Sequence, residues 1–264
     1  MAAPCLPATG QILNRRRLRL IPLEAHPWAR FKAGVWRTVK AETVVFDPSG
    51  EVIERARTES MTRFRRSDEN VCLFEVDTNT EVFGKPVVET TEEVVVPIDP
   101  AGEGEVELLE PEVVTVSGRP HRAEVRRAKI VEKLGEKWMT VHLVGGNTPR
   151  ILKRETKIID PVKSIVKSIT RTEVVAFDVE RPVAGKNLPT WKVFTVHEHP
   201  AGKVETTEHH CEEVPGEVVA QNSLEFDARG VLKRWSTVEL IAFGEDNPER
   251  EKGIGRRLRE RRTS

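Results

Sequence analysis

No apolar run in this 264-residue chain approaches the ~20 residues that a bilayer-spanning helix needs. The N-terminus, MAAPCLPATGQILNRRR, lacks the apolar core of a secretory signal peptide. Cysteine is scarce: Cys5, Cys72 and Cys211 are scattered and odd in number, which excludes a disulfide framework and any CxxC site. Net charge is absent as well, with 42 basic and 42 acidic residues, so the chain as a whole has no bulk attraction to nucleic acid or to a membrane surface. The motifs of hydrolases, P-loop nucleotide binders and HExxH metalloenzymes are missing. Gly253-Ile254-Gly255 is too short for a dinucleotide loop and follows no strand pattern. No cofactor is implied, and no catalytic residue stands out.

What is present is valine, threonine and charge. Hydrophobic residues make up 38% and charged residues 32%, a polar but foldable balance. Four tetrapeptides read as turns: Asp47-Pro48-Ser49-Gly50, Asp99-Pro100-Ala101-Gly102, His199-Pro200-Ala201-Gly202 and Asp227-Ala228-Arg229-Gly230. An Asp or His opens each, and a Gly closes it in the left-handed region. Leu134-Gly135-Glu136-Lys137 and Gly145-Gly146-Asn147 look like further reversals. Val- and Thr-rich runs flank the turns, such as 36–46, 51–64, 217–226 and 231–243. Several alternate polar with apolar, as half-buried strands do. They are longer than the usual 5–6 residues. The expected fold is all-β: a long-stranded antiparallel meander, strongly curved or an open half-barrel, with at most one or two short helices.

An imperfect internal repeat runs over about 138–177 and 191–243, with a partial copy near Trp36. It bears on a local conflict. Asp160 to Ile169 carries a helical pattern, but its counterpart DARGVLKRWS reads as turn then strand, and that reading is preferred. His121 to Gly135 is a second stretch with helical spacing. The expected organisation is a flexible N-terminal segment 1–25, one β domain over 26–246 and a disordered basic tail 247–264. Residues 75–112 hold twelve acidic residues and the single basic Lys85, with four prolines, and form an edge strand or an acidic loop. The tail could meet nucleic acid or an anionic surface but lacks interleaved aromatics, so a solvated tail is preferred. The chain reads as cytoplasmic as it stands. Ala2-Ala3-Pro4-Cys5 resembles the end of a lipoprotein cleavage box, and a start further upstream would make Cys5 a lipidated terminus and the protein periplasmic or lipid-anchored.

The stretch TVHEHPAGKVETTEHHC (195–211) holds four of the seven histidines. His197 and His199, two apart on a strand, share a face, and a turn over 200–202 would place Glu205 opposite His197. A metal site of His197, His199 and Glu205 follows as one reading. A solvent-facing polar ladder is the alternative, and it is preferred, because His209 and His210 lie ~13 Å further along the return strand.

The strand pattern W-x-T-V at Trp36, Val214-Pro215-Gly216 ahead of a strand, Phe226-Asp227-x-x-Gly230-x-Leu232-x-Arg234 and Glu239-Leu240-Ile241-Ala242-Phe243 resemble the β-meander proteins of the bacterial lipoprotein-carrier superfamily. The resemblance covers about Trp28 to Phe243, and the chain is similar too to uncharacterised bacterial β-rich proteins of that type. It implies a half-barrel wrapped around a hydrophobic cavity, and it carries over no binding residue. Two departures are the missing signal peptide and the missing pair of helices that would plug the mouth. The first functional expectation is a non-enzymatic sheet protein whose concave face holds an apolar ligand, a lipid or the acyl chain of a lipoprotein. The second is a structural or protein-interaction module, and the third is the metal protein above.

Overall fold

The computed structural model describes residues 18–102, 104–132, 135–145 and 149–245. Thirteen strands make one antiparallel sheet: β1 (Trp36–Phe46), β2 (Val52–Ser67), β3 (Val71–Val82), β4 (Lys85–Pro97), β5 (Glu105–Val116), β6 (Arg119–Glu132), β7 (Gly135–Val144), β8 (Arg150–Asp160), β9 (Ile165–Val183), β10 (Lys186–His199), β11 (Gly202–His210), β12 (Val218–Asp227) and β13 (Leu232–Gly244). Every neighbouring pair is consecutive in the chain except one: the first strand pairs with the last, β1 with β13. The order β4-β3-β2-β1-β13-β12-β11-β10-β9-β8-β7-β6-β5 leaves β4 and β5 at the two free edges.

That order forces curvature. Twelve inter-strand steps of about 4.8 Å would separate β4 and β5 by roughly 58 Å in a flat sheet. Only residues 98–104 join them, and seven residues reach at most about 28 Å. The sheet therefore curls until its edges approach, without closing into a barrel. Bulges help it bend, among them those between Thr38 and Val39, between Phe64 and Arg66 and between Thr190 and Lys192. At one flank the curl is tight enough for the β5–β6 hairpin to reach β9, where Ser117 Oγ donates to the Val175 carbonyl at 3.4 Å.

Local chemistry accounts for the hairpins. Asp47 Oδ1 accepts the backbone N–H of Ser49 (2.8 Å) and Glu51 (2.9 Å), and Gly50 takes φ +89°. Asp227 repeats the device with Arg229 (2.8 Å), Val231 (2.9 Å) and Gly230 at φ +81°. Asp160 also captures the N–H groups of Val162 and Lys163 (3.0 and 3.1 Å), as a helix cap would, but Ser164 turns left-handed at φ +53° and β9 begins at once. The apolar face of a helix here would meet no core, for Val162, Ile165 and Val166 stay exposed. The helical spacing at 121–135 is likewise overruled: in β6, Ala123 and Val125 are buried while Arg122 and Glu124, alternating with them, face water. The sole helical piece among the described residues is the 3-10 turn Leu23–Ala25. No helix there is long and apolar enough to cross a membrane.

Residues 18–25 of the N-terminal segment are described. They form the start of a strap, 18–35, laid across the sheet. Leu20 and Ile21 pack with Ala101, Met139, Val141 and Leu143. Trp28 and Val35 pack with Phe64, Phe74 and Ile98. The Leu20 N–H donates to Asp99 Oδ2 at 2.9 Å, and Arg126 Nη1 donates to the Arg19 carbonyl at 2.5 Å. Segment 211–217 adds Cys211 and Val214 to a further cluster around Leu240. Residues 75–112 run through β3, β4, the link and β5, so that the acidic segment supplies both free edges. Charge along an edge opposes pairing with a second sheet. Residues 1–17, with Cys5, and the basic tail lie outside the described residues, as does most of the Gly145-Gly146-Asn147 reversal.

Candidate functional site

In the histidine hairpin the register corrects the sequence. His199 pairs with Gly202, His197 with Val204, and Val196 with Glu205. The loop has two residues, Pro200 and Ala201, and not three. Directly opposed residues of an antiparallel pair share a face, so Glu205 points with Val196, away from His197 and His199. The two imidazoles do share a face, with ring centroids 5.4 Å apart. His197 Nδ1 meets Thr170 Oγ1 at 2.8 Å, His199 Nδ1 accepts the Ala201 N–H at 3.2 Å, and Glu205 accepts Lys203 Nζ at 2.6 Å. His197, His199 and Glu205 are thus not assembled as ligands. Among the described residues no group of three His, Cys, Asp or Glu side chains is placed to hold a metal.

The other end of the same hairpin leads inside. Trp191 opposes His210, Val193 opposes Glu208, and Thr195 opposes Thr206, all facing the concave side. Here a cavity of about 360 Å³ lies between the sheet, the strap and the 98–104 link. Part of its lining is apolar: Ile21, Ile98, Ile151 and Val193, with Pro97 and Pro149. Interleaved with it are charged residues: Arg30, Arg150 and Arg154, with Glu208, His210, Glu212 and Glu217.

Most of these charges are matched. Arg30 pairs with Glu217 at 2.9 Å and donates to the Glu212 carbonyl at 2.8 Å. Arg150 pairs with Glu212 and stacks over Trp191, 4.3 Å from its centroid. His210 lies between two carboxylates, Nε2 at 3.0 Å from Glu208 and Nδ1 at 3.5 Å from Glu217. Burial alone would lower the His210 pKa, but the hydrogen bonds and charges of Glu208 and Glu217 outweigh it and hold it above the usual value. Arg37, next to this group, is buried over the Trp28 ring (5.2 Å), and burial lowers its pKa to about 10 against the opposing pull of Glu208.

Arg154 is different. Burial lowers its pKa, against the opposing pull of the Glu208 charge acting through space. Among the described residues no carboxylate forms an ion pair with it and no acceptor takes its hydrogen bonds, yet it lines the cavity. Its neighbours across the strands are Val141 and Thr172. From Thr172 a row of hydroxyls crosses the concave face through Thr195, Thr206, Ser223, Ser236 and Thr43. Thr195 Oγ1 donates to Thr172 Oγ1 at 3.0 Å, and Thr206 and Ser223 meet at 3.0 Å. The concave side is therefore amphipathic, with apolar and polar groups both lining the cavity.

Cys72 Sγ lies 3.7 Å from His26 Nδ1, a pairing seen in nucleophilic sites. Burial pushes the thiol pKa up and the imidazole pKa down, the reverse of a thiolate–imidazolium pair, and Cys72 is fully buried. This pair is packing.

The sequence singled out His210 only as a member of the histidine run. Arg30, Arg154, Glu208 and Glu217 carried no signal, since charged residues are everywhere in this chain. Gly216 entered the sequence reading only in the Val-Pro-Gly step ahead of a strand, and its reason is tertiary: at φ +76°, a Cβ would sit 2.6 Å from Trp28 Nε1.

No family model and no curated protein matches the chain. Among the solved structures similar to it are the following three. One, by its description an exported protein with a YMCC-like fold from Bacteroides fragilis, is 10% identical and covers 81% of this chain and 97% of its own, with a TM-score of 0.33. A protein described as a lipoprotein, from Parabacteroides distasonis, is 11% identical and covers 86% and 99%, with a TM-score of 0.30. A DUF1329 family protein from Desulfovibrio piger is 9% identical and covers 81% and 87%, with a TM-score of 0.32. Likenesses this distant assign the chain neither to a family nor to an activity; what they share with it is similarity to solved bacterial chains over most of its length.

Proposed function

We propose that the protein is a non-enzymatic carrier or receptor for a small amphipathic ligand held in the concave cavity, such as a lipid or the acyl portion of a lipoprotein. The apolar part rests against Ile21, Ile98, Ile151 and Val193, and an anionic head meets Arg154. The observation that supports this reading is Arg154: a half-buried guanidinium that lines the cavity and, among the described residues, has neither a paired carboxylate nor a hydrogen-bond acceptor, so an anionic group in the cavity would find an unused donor. The cavity volume lies at the lower end of the range usual for small-ligand sites.

The test is a calorimetric titration with straight-chain carboxylates of increasing length and the matching alcohols. Each added methylene tightens binding about fourfold until the cavity is full, from ~0.8 kcal/mol per buried CH2. Carboxylates bind more tightly than the alcohols, and Arg154→Met removes that difference alone. Native mass spectrometry of the purified protein shows a lipid-sized adduct that denaturation releases. Absence of binding at every chain length would sink the proposal and leave a structural or protein-interaction module as the better account.

A further inference from the structure

The chain leaves the sheet on a definite side. β13 ends at Gly244, opposite Trp36 at the start of β1. Trp36 Nε1 donates to the Glu245 carbonyl at 3.2 Å, which turns the last described residue of the C-terminus toward β1. From Trp36 one row of paired residues crosses the sheet: Arg63 on β2, Glu75 on β3 and Glu93 on the free edge strand β4. Directly opposed residues share a face. The adjoining residues Phe64 and Phe74 pack with Trp28 and Val35 of the strap, on the concave side. Alternation therefore puts the Trp36 row on the outer, convex face.

Charge on that face is ordered. β2 brings arginines to it, Arg63 at 3.0 Å from Glu75 and Arg65 on the same carboxylate. β3 and β4 bring carboxylates. Between Val71 and Pro97 there are six, Glu75, Asp77, Glu81, Glu89, Glu92 and Glu93, against Lys85 alone. The register places all of them but Glu92 on the outer face. Val95, 57% exposed, adjoins Glu93 there, two residues along β4. Residues 246–264, outside the described residues, carry the opposite order of charge. Asp246, Glu249 and Glu251 come first, with Arg250 among them. Lys252, Arg256, Arg257, Arg259, Arg261 and Arg262 follow, against Glu260. Four inter-strand steps from β13 to β4 make roughly 19 Å. The eleven residues 246–256 can reach about 36 Å, so the arginines have length enough to lie along β3 and β4.

We propose that the C-terminal segment 246–264 folds back over the outer face of its own sheet. Its acidic start crosses Arg63 and Arg65 of β2, its arginines lie over the carboxylates of β3 and β4, and Leu258 covers Val95. An acidic surface alone would select no particular cation. What selects this segment is the side on which Glu245 leaves β13, the length of chain that follows, and an order of charges that opposes the sheet strand by strand. Exposed ion pairs are each weak, so the docked state is held by their number and is sensitive to salt. The inference concerns the outer face and does not require a ligand in the cavity.

The test is photo-crosslinking of the full chain with Leu258 replaced by benzoylphenylalanine. In about 0.1 M salt the crosslink forms within one chain and maps to residues 71–97. Near 1 M salt, where the screening length falls from about 10 to about 3 Å, the yield drops. Glu89→Lys together with Glu93→Lys lowers the ratio of docked to free tail about two- to thirtyfold, the scale of two exposed ion pairs. Adding Arg257→Glu and Arg261→Glu to that variant restores it. Both carboxylates are exposed, so the Lys variant keeps its thermal midpoint within about 2 °C of wild type. No crosslink to 71–97, a yield indifferent to salt and to charge reversal, or a product joining two chains would each overturn the proposal, the last by assigning the face to the tail of a second copy.

Discussion

Arg154→Met separates a functional role from a structural one by the sign of two effects. The guanidinium lines the cavity, burial lowers its pKa, and its only counter-charge, Glu208, already bonds His210 at 3.0 Å. Met has similar volume and flexibility, so packing against Val141 and Thr172 is retained. The change removes a half-buried charge that has no ion-pair partner among the described residues. Replacing buried charged groups by apolar ones of like size is often neutral or stabilising by about 1–4 kcal/mol; Arg154 keeps some access to the cavity, which places the expected gain near the lower bound, about 1 kcal/mol. For a domain of this size that raises the thermal midpoint by about 2–4 °C. Urea denaturation at pH 7 reads it as a higher midpoint with an unchanged slope. The same variant loses its preference for carboxylates over alcohols. A destabilisation of 1 kcal/mol or more would mean that Arg154 organises the interior, and the argument from its unpaired state would fail.

Two further predictions concern the cavity walls. The His210 pKa is raised in the folded protein, so its pairs with Glu208 and Glu217 contribute stability that is fully present below the unfolded value of about 6.5 and is lost as pH rises through the folded pKa. Urea midpoints measured from pH 5.5 to 9 fall over that window in the wild type, and His210→Gln flattens the profile; an unchanged profile would remove His210 as its source. Leu20 is fully buried in the strap, and Leu20→Ala costs about 2–5 kcal/mol. A loss below about 1 kcal/mol on denaturation would show that the strap is not part of the core and that the cavity lacks its roof.

Short-range chemistry was legible. An Asp whose carboxylate caps its own turn and a Gly that takes positive φ act within four or five residues, so the reversals at 47–50 and 227–230 follow from sequence. So do the long strands between them, because alternation is a property of each strand alone. The two helical patterns show where that reasoning stops. At 160–169 the cap and the spacing are real, and the capping bonds form, but a helix also needs a surface to cover its apolar face, and none lies above Val162 and Ile165. At 121–135 the space between β5 and β7 left Arg119–Glu132 to complete the sheet.

The sequence by itself determined an open, all-β meander with long strands, since every hairpin signal is local and β-rich composition leaves no other partner for the backbone. Tertiary structure decided what the interior is. A turn of two residues instead of three moved Glu205 to the far face and dissolved the apparent metal site, for a slip of one residue inverts every side chain. Pairing of β1 with β13 and the short link from β4 to β5 curled the sheet. That curl drew residues 18–35 over it and gathered Arg30, Arg154, Glu208, His210 and Glu217 from distant points of the chain. No spacing rule joins residues 187 positions apart; only the path of the folded backbone does.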